Sequence, residues 1–391
     1  MPHQTTRIDG LDGLRAIACL AVFGVHFQQI SHFDGRIGPI DFGQLLENGN
    51  RGVCLFFVLT GFLLSLPIWR TDASPSTGAA RRSGWLTAYV CNRMARILPA
   101  YLPCLAVLVV MGGDWRAARG LVDIILHLLF LHNLAEFSIY SISSPFWALA
   151  VIVQFYLVFP MLSSVLRRLM WSSALALGCV AMAAGAAYLA HAALVVWAQS
   201  QVGDWPIPTY LIRPDGYVLT HSLLAHLPHF LVGVFAAGVF SRTRQRGTTG
   251  ALAWGFDVVF WLCAGAIFAI LAVPEFDDWS TIPYGRYNLP YVPLLVAALI
   301  VCAPSSRSAK AILELAPIRL LGLVSYGVYI YHLPCLKLIA QAMKLARFSV
   351  ADHWLLFAAA GLTLSVTIAG TSYVLIERPA LQWAKRMQSG R

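Results

Sequence analysis

Charged residues are scarce in this chain of 391 residues. Asp, Glu, Lys and Arg together make up 12% of it, whereas hydrophobic residues make up 58% and the mean hydropathy is +0.68. A soluble domain carries roughly 25% charged residues. Half that fraction cannot cover a water-facing surface of this size, so the composition excludes an ordinary soluble domain and makes lipid the expected solvent.

Paired cysteine spacings are also missing. Nearly all of the eight cysteines lie in or beside apolar segments. They lack both the paired loop spacing of disulfides and the short Cys and His spacings of zinc sites. Cysteine in apolar surroundings usually behaves as a small buried hydrophobe. We therefore expect no disulfide framework, no metal site and no bound cofactor.

The apolar stretches do not alternate with polar residues, as the strands of a membrane barrel would. Runs such as residues 97–112 and 252–273 are continuously apolar. They approach or reach the about 20 residues with which a helix crosses a bilayer. Because a backbone in lipid must be helical or form a closed barrel, the sequence predicts an all-α, polytopic membrane helix bundle.

The net charge of +10 lies mainly in short connectors between the apolar runs. Nucleic-acid binding would require a basic stripe on one surface. Basic connectors are instead typical of cytoplasmic loops that face anionic lipid. We therefore expect the lipid bilayer as a partner and no nucleic acid.

Hydropathy alone indicates eleven segments that could cross the membrane. They cover residues 11–31, 52–69, 97–112, 120–135, 146–166, 172–198, 222–240, 251–273, 289–303, 319–341 and 353–376. The fourth is short and polar, and we expect it not to span. Then 18 of the 28 Lys and Arg side chains lie on the side of both termini and eight on the other. Since basic loops stay inside, this asymmetry predicts about ten transmembrane helices plus one short non-spanning helix.

The same count predicts that both termini are cytoplasmic and that the protein is an integral, multi-pass protein of the cell (inner) membrane. No basic region or small-residue cleavage site precedes the first apolar run, so we expect its helix to be retained. No hydrophilic stretch is long enough for a soluble domain. We therefore expect residues 1–391 to form a single transmembrane domain.

Two ionisable residues lie in the first predicted span, Arg15 and His26. Eleven helical steps return to almost the same face, with a rise of about 16 Å. Ionisable groups inside a membrane are costly and usually functional. With an ordinary pKa of about 6.5, His26 could act as a general base for a hydroxyl. The alternative is a core histidine that is hydrogen-bonded to a neighbouring carbonyl.

A second basic pair, Arg93 and Arg96, shares one helix face at the entrance of the third span. Paired guanidinium groups suit phosphate oxygens, and coenzyme A carries several phosphates. The alternative is ordinary anchoring of a helix end by positive charge.

Other polar or small residues in the spans have both a structural and a functional interpretation. Gly61 could let two helices approach closely, or leave room for an acyl chain. His332 lies within a span two residues before a proline, which can kink the helix and free a carbonyl. Glu377 ends the last span, where it could simply pair with Arg378.

Five segments, in this order along the chain, resemble the acyltransferase 3 family of integral membrane O-acyltransferases. They are residues 11–18 followed by His26, residues 56–64, the segment from Arg93 through Arg96 and Pro99 to Tyr101, residues 321–334, and residues 376–379. Each segment is only moderately specific, but the ordered set is specific and spans most of the chain.

This resemblance implies an acyltransferase of the EC 2.3.1 type. Its members move an acyl group, often acetyl, from cytoplasmic acyl-CoA to a hydroxyl of a sugar, a glycan or a small secondary metabolite, as in polysaccharide O-acetylation. It implies catalytic roles for His26, as base or as covalent carrier, and for Arg15. Donor-binding residues would be Arg93, Arg96, Tyr101 and Gly61. Possible supporting residues would be His332, Ser325, Tyr326, Glu377, Gln154 and Asp123.

One position departs from the family pattern. The segment 144–156 resembles a motif that normally carries one or two Glu, where this chain has Ile152 and Val153. Asp123 or Gln154 could substitute for the missing acid. The departure also keeps open an alternative function, a membrane transporter or flippase of glycans or lipids without acyl transfer.

Overall fold

A computed structural model describes residues 7–70, 79–112, 118–170, 172–200, 217–245, 250–274 and 290–389. Its helices are α1 (Leu11–Ser31), α2 (Phe42–Glu47), α3 (Gly52–Arg70), α4 (Ala79–Gly112), α5 (Ala118–Leu128), α6 (Phe146–Leu169), α7 (Ser173–Ser200), α8 (Tyr217–Thr220), α9 (Leu223–Gln245), α10 (Gly250–Ala272), α11 (Tyr291–Cys302), α12 (Arg307–Leu313), α13 (Ala316–Leu345), α14 (Trp354–Ser372) and α15 (Arg378–Ser389).

Shorter elements connect some of these helices. They are the antiparallel strands β1 (Arg36–Ile37) and β2 (Ile40–Asp41), the 3-10 turns Asn48–Arg51 and His132–Leu134, and the π-helical turn Tyr373–Glu377. Two strands of two residues each contribute almost nothing to the architecture. The prediction of an all-α fold is therefore confirmed.

Nine helices within the described ranges are long and apolar enough to cross a membrane, and the bent pair α11–α12 is a tenth candidate. The predicted polytopic bundle of about ten transmembrane helices is confirmed. Helix α5 has 11 residues, which gives about 16 Å at 1.5 Å per residue. A bilayer core is about 30 Å thick, so α5 is the short non-spanning helix that was expected.

Some predicted span boundaries were wrong. Helix α4 begins at Ala79, well before the apolar run at residues 97–112, so Arg93 and Arg96 lie inside a long helix and not at its entrance. The span predicted at residues 289–303 ends at Cys302 and bends by 92° into α12. Pro304 follows this end and cannot continue a helix. The hydroxyl of Ser306 then accepts a hydrogen bond from the first turn of α12 and starts a new helix.

The described residues belong to two compact units. The first unit comprises residues 1–70, 177–184 and 229–325, and the second comprises residues 71–176, 185–228 and 326–391. The expectation of a single domain over the whole chain stays a prediction.

Small residues hold α1 in the first unit. The segment from α2 to α3 runs antiparallel to α1 and meets it at three glycines, Gly43, Gly49 and Gly52. A Cβ on Gly49 would overlap the carbonyl oxygen of Ala21, and a Cβ on Gly52 would lie 2.6 Å from the carbonyl oxygen of Ala18. Such contacts require glycine, because only the absence of a side chain lets two membrane helices approach this closely. The position of α1 is therefore set by backbone-to-backbone packing.

A second close approach in the first unit joins α3 and α9. A Cβ on Gly61 would overlap the carbonyl oxygen of Phe230, and a Cβ on Gly233 would overlap that of Val58. The two glycines face each other's helix, which is the pattern of a close helix crossing.

Tyrosines of α13 organise the second unit. Three hydroxyls donate hydrogen bonds to backbone carbonyls, from Tyr326 to Ile97 at 2.6 Å, from Tyr331 to Ala100 at 3.1 Å and from Tyr329 to Pro145 at 2.7 Å. Buried tyrosine hydroxyls need such partners. The tyrosine-rich segment 325–334 thus fastens α13 to α4 and to the start of α6.

Candidate functional site

The start of α1 carries a short chain of ion pairs in the first unit. Arg15 Nη1 lies 2.7 Å from Asp12 Oδ1, and Arg7 Nε lies 3.1 Å from Asp12 Oδ2. The Nη2 atom of Arg7 in turn lies 2.6 Å from Glu314 Oε2. Of these ion-paired residues, Arg15 lies furthest along α1. The carboxylate of Asp12, one helical turn earlier, balances its charge. This reduces the cost of placing that charge at a membrane boundary.

The same region of α1 contacts the beginning of α13. The thiol of Cys19 lies 3.5 Å from the carbonyl oxygen of Ser325, and the hydroxyl of Ser325 donates to the carbonyl oxygen of Gly322 at 2.8 Å. A Cβ on Gly322 would overlap the carbonyl oxygen of Asp12. Ser325, proposed from sequence as a supporting residue, therefore belongs to the packing of α1 in the first unit.

His26 occupies the same helix face as Arg15, as the spacing of eleven predicts. Its side chain is buried, with 8% of the residue exposed. Its Nδ1 atom lies 2.8 Å from Oε1 of Gln29, one turn further along α1. The catalytic assignment of His26 and Arg15 stays a prediction, but the pair does share one face of a single, tightly held helix.

His332 has a different environment in the second unit. Its Nδ1 atom lies 2.8 Å from the carbonyl oxygen of Tyr329 and 3.1 Å from that of Val328. Both carbonyls belong to the same helix as His332. This is the pattern of a buried histidine that is hydrogen-bonded to neighbouring backbone. Pro334 lies inside α13 and leaves the carbonyl of Ile330 without its usual helical donor. The thiol of Cys104 lies 3.9 Å from that oxygen.

The basic pair of α4 lies in the second unit. The guanidinium of Arg93 is 5.6 Å from the ring centres of both Tyr89 and Tyr156, which is within the range of a cation–π interaction. Arg96 is exposed. The guanidinium of Arg93 thus contacts two aromatic rings, whereas Arg96 is exposed. Their role in donor binding stays a prediction.

Glu377 ends the π-helical turn between α14 and α15 and is only 6% exposed. The hydroxyl of Ser372 donates to its Oε1 atom at 3.2 Å, and Arg96 lies close enough to act on it electrostatically. The sequence suggested a pairing with the adjacent Arg378, but the contacts of Glu377 are with Ser372 and, electrostatically, with Arg96. The irregular turn, a feature often found at functional sites, directs the carboxylate inward.

Tyr101 is fully buried in the second unit. Its hydroxyl donates to the carbonyl oxygen of His127 at 3.0 Å. Its ring centre lies 4.8 Å from that of Phe130 and 5.1 Å from that of Phe146. Tyr101 therefore supports the segment after α5, and its contact with a donor stays a prediction. The close packing of Gly61 against α9 likewise explains that glycine structurally, and its role in acyl binding stays a prediction.

The segment after α5 brings two histidines together. Phe130 adopts a left-handed conformation with φ 56°, and the N–H groups of Phe130 and Leu131 return to the carbonyls of His127 and Leu126. This is the hydrogen-bond pattern of a Schellman C-cap, where glycine is usual. The reversal stacks the imidazole of His132 on that of His127 at 4.1 Å, with 3° between the ring planes.

Asp123 completes this cluster of the second unit. Its Oδ1 atom lies 3.2 Å from Nδ1 of His127 and accepts a hydrogen bond from the hydroxyl of Ser138. Burial disfavours its charge, but hydrogen bonds from His127, Ser138 and Ser141 outweigh burial and lower the pKa of Asp123. Burial, together with the adjacent His127, lowers the pKa of His132 to about 3. The cluster therefore holds an ionised carboxylate beside a neutral second imidazole.

Gln154 lies beside the position where the resembling motif would carry Glu. Its Nε2 atom donates to Asn133 Oδ1 at 2.7 Å and to the carbonyl oxygen of Phe130 at 3.0 Å. It thus fastens α6 to the reversal after α5. That Gln154 or Asp123 replaces the missing acid at Ile152 and Val153 stays a hypothesis.

Two contacts of the site were not predicted but could have been. Asp12 precedes Arg15 by three residues and Gln29 follows His26 by three, and residues at that spacing face each other on a helix. The stack of His127 and His132 could not have been found this way. It depends on the left-handed backbone conformation of Phe130, which no local sequence signal indicates.

Within the described ranges, no group of three or more His, Cys, Asp or Glu side chains is arranged to hold a metal ion. Helix α1 carries an imidazole and a guanidinium on one helix face. An imidazole can take a proton from a hydroxyl that accepts a transferred group, so these are groups that a membrane-embedded transferase would use.

A family model described as an acyltransferase domain matches residues 8–372. A provisionally named peptidoglycan O-acetyltransferase, YrhL of Bacillus subtilis (strain 168), is 28% identical over 97% of this chain and 56% of its own length. A provisionally named membrane-bound transacylase, BcsY of Komagataeibacter xylinus, is 26% identical over 97% of this chain and 83% of its own. The peptidoglycan O-acetyltransferase OatA of Listeria monocytogenes is 24% identical over 96% of this chain and 57% of its own.

The chain belongs to this family of acyltransferases, because the family model covers nearly all of it. The chain spans about half the length of the two peptidoglycan O-acetyltransferases that it matches. No solved structure gave a significant match.

Proposed function

We propose that this protein is a membrane O-acyltransferase that moves an acyl group, acetyl in the first instance, from acyl-CoA to a hydroxyl of a glycan or small metabolite. The observation that carries the proposal is the family match over residues 8–372. Relatives with the names of O-acetyltransferases support the acetyl group and a glycan acceptor. The pairing of Arg15 and His26 on one face of α1 supplies the chemical groups.

The proposed reaction is direct acyl transfer. The acceptor oxygen attacks the thioester carbonyl carbon, the new C–O bond forms and the C–S bond breaks. His26 takes the hydroxyl proton and returns it to the leaving thiolate of coenzyme A. Proton transfer of this kind contributes about 10²–10⁴-fold. In the alternative sequence of steps, the same ring first carries the acyl group and then passes it to the acceptor.

The donor is proposed to dock through the arginines of α4. Exposed Arg96 offers its guanidinium to the phosphates of coenzyme A, while Arg93 is braced by two aromatic rings. We propose that the part of α4 that carries these arginines lies on the cytoplasmic side of the inner membrane, as do both termini. Reporter fusions at residue 391 and within residues 71–78 should then both report the cytoplasm.

The function is tested with the purified chain in liposomes and labelled acetyl-CoA. With peptidoglycan fragments or other glycans outside or inside the vesicles, we expect release of free coenzyme A and label on the glycan hydroxyls. Arg96→Ala should raise the KM for acetyl-CoA about tenfold or more, whereas Arg386→Ala, on the exposed face of α15, should not. Glycan accumulation inside vesicles without release of coenzyme A would support the transporter alternative and contradict acyl transfer.

A further inference from the structure

We propose that Gln29 is a positioning residue that selects the reactive nitrogen of His26. This inference rests on the proposed acyl transfer and adds a residue to it. In this arrangement the amide of Gln29 holds the Nδ1–H of the imidazole, so that Nε2 is the atom that takes the acceptor's proton or carries the acyl group.

The contact is short and local. Oε1 of Gln29 lies 2.8 Å from Nδ1 of His26, within the normal range for a hydrogen bond. An amide oxygen can only accept a hydrogen bond. With Oε1 on the side of the ring, as the contact assigns it, Nδ1 carries the proton. A neutral imidazole has just one proton, so its basic lone pair is then on Nε2. Because both residues lie on α1, which is held by the backbone packing of Gly49 and Gly52, the orientation of the ring is set within one helix.

Gln29 is exposed and lies two residues before the end of α1. A neutral partner suits this end of a candidate membrane span. A carboxylate would also hold the Nδ1–H, but it would add a second charge that lipid makes costly. An amide fixes the tautomer without stabilising the imidazolium as strongly. The ring can then lose its proton again near neutral pH, as a base that must return the proton to a thiolate has to do.

The neighbouring Gln28 provides a matched control. It has the same side chain but lies on a different face of α1, where its Nε2 atom approaches Gly43 of the antiparallel segment. The charged side chains on or next to the elements that pack beside this half of α1 are those of Asp41, which caps α2, exposed Glu47 and buried Arg51. All three are unchanged in the variants below, so a difference among these variants reports on position 29.

The experiment compares Gln29→Leu, Gln29→Glu and Gln28→Leu in the acetyl-CoA assay, with the pH profile of kcat/KM and the thermal midpoint of each. Gln29→Leu should lower kcat about 10- to 100-fold with little change in KM, because a misplaced or wrong-tautomer ring costs about that much. Gln29→Glu should recover much of the rate. Its carboxylate stabilises the imidazolium, so the acidic limb of the profile should move to higher pH. Gln28→Leu should behave like the wild type.

A wild-type rate for Gln29→Leu, or an unshifted acidic limb for an active Gln29→Glu, would overturn the role of Gln29. The proposed function fails separately, if the wild-type chain releases no coenzyme A or if His26→Ala retains the full rate. The positioning role of Gln29 would also be contradicted if the thermal midpoint of Gln29→Leu fell in step with its activity and Gln29→Glu did not restore the rate.

Discussion

Helix α1 of the first unit and helix α5 of the second unit each hold a buried histidine, but with partners of different chemistry. His26 contacts the neutral amide of Gln29, three residues later. His127 contacts the carboxylate of Asp123, four residues earlier, and stacks on His132. The first histidine lies in a candidate membrane span, whereas the second lies outside the candidate spans.

A candidate span and a helix outside the candidate spans differ in what a second charge costs. Inside a span, a carboxylate beside an imidazole adds a costly second charge, and a neutral amide gives orientation without it. Outside the spans, a carboxylate held by hydroxyl groups, such as Asp123, is tolerated and its pKa is lowered. We therefore expect His26 to control turnover and the Asp123–His127 pair to control stability.

The largest expected effect separates these two roles. His26→Ala should lower acetyl transfer about 10²–10⁴-fold, because general-base or covalent catalysis is lost, while its thermal midpoint stays close to that of the wild type. The measurement is coenzyme A release in liposomes. His353→Ala is the control, since His353 is exposed at the start of α14. Full activity of a folded His26→Ala protein would contradict a role of His26 in turnover, and with it the proposed difference between His26 and His127.

A change at the second histidine, His127, should instead act on stability. His127→Ala removes the imidazole that contacts Asp123 and the stacking partner of His132, which should destabilise the protein by about 2–4 kcal/mol. Thermal unfolding in detergent measures this. Leu128→Ala, at an exposed position of the same helix, should change the midpoint much less. If the two variants unfold alike, the cluster is not a stabilising element.

The glycine packing of α1 should give an intermediate effect. Gly49→Ala places a Cβ against the carbonyl oxygen of Ala21, and such overpacking typically costs about 1–3 kcal/mol. Because α1 must shift, turnover should fall as well. Gly265→Ala is the matched control, since nothing lies within 4 Å of a Cβ there, and alanine there should be neutral or slightly stabilising. Equal midpoints for both variants would contradict a backbone-held α1.

The smallest expected effect is a pH dependence from His132. Its pKa in the folded protein is about 3, below the ordinary value of about 6.5 in an unfolded chain. Between these values the unfolded state binds more protons, so stability falls as the pH is lowered. From pH 7 to 5.5 the loss should be about 1 kcal/mol.

The control for this pH dependence is His132→Phe, which keeps a ring in the stack but cannot titrate. Its unfolding midpoint should lose much of the slope that the wild type shows between pH 7 and 5.5. Above pH 5.5 the carboxylate of Asp123 remains ionised in both states, so it adds little to the slope. An identical slope in both proteins would show that His132 is not the titrating group.

Several features of the fold followed from composition and local pattern alone. Low charge and long apolar runs indicated membrane helices, and the polarity and shortness of the segment at residues 120–135 indicated that it does not span. The face shared by Arg15 and His26 followed from the geometry of one helix. Boundaries were less predictable, because helix α4 continues for many residues beyond its apolar part and hydropathy reports only that part.

The sequence by itself determined the class of this protein, because the balance between apolar and charged residues decides which solvent a chain can face, and helical spacing decides which residues share a face. Only the tertiary structure decided which glycines are contact points, that Glu377 turns inward, and that His132 stacks on His127. Those features depend on backbones meeting at a particular distance and on one residue adopting a left-handed conformation. Neither is encoded in the spacing of residues along the chain.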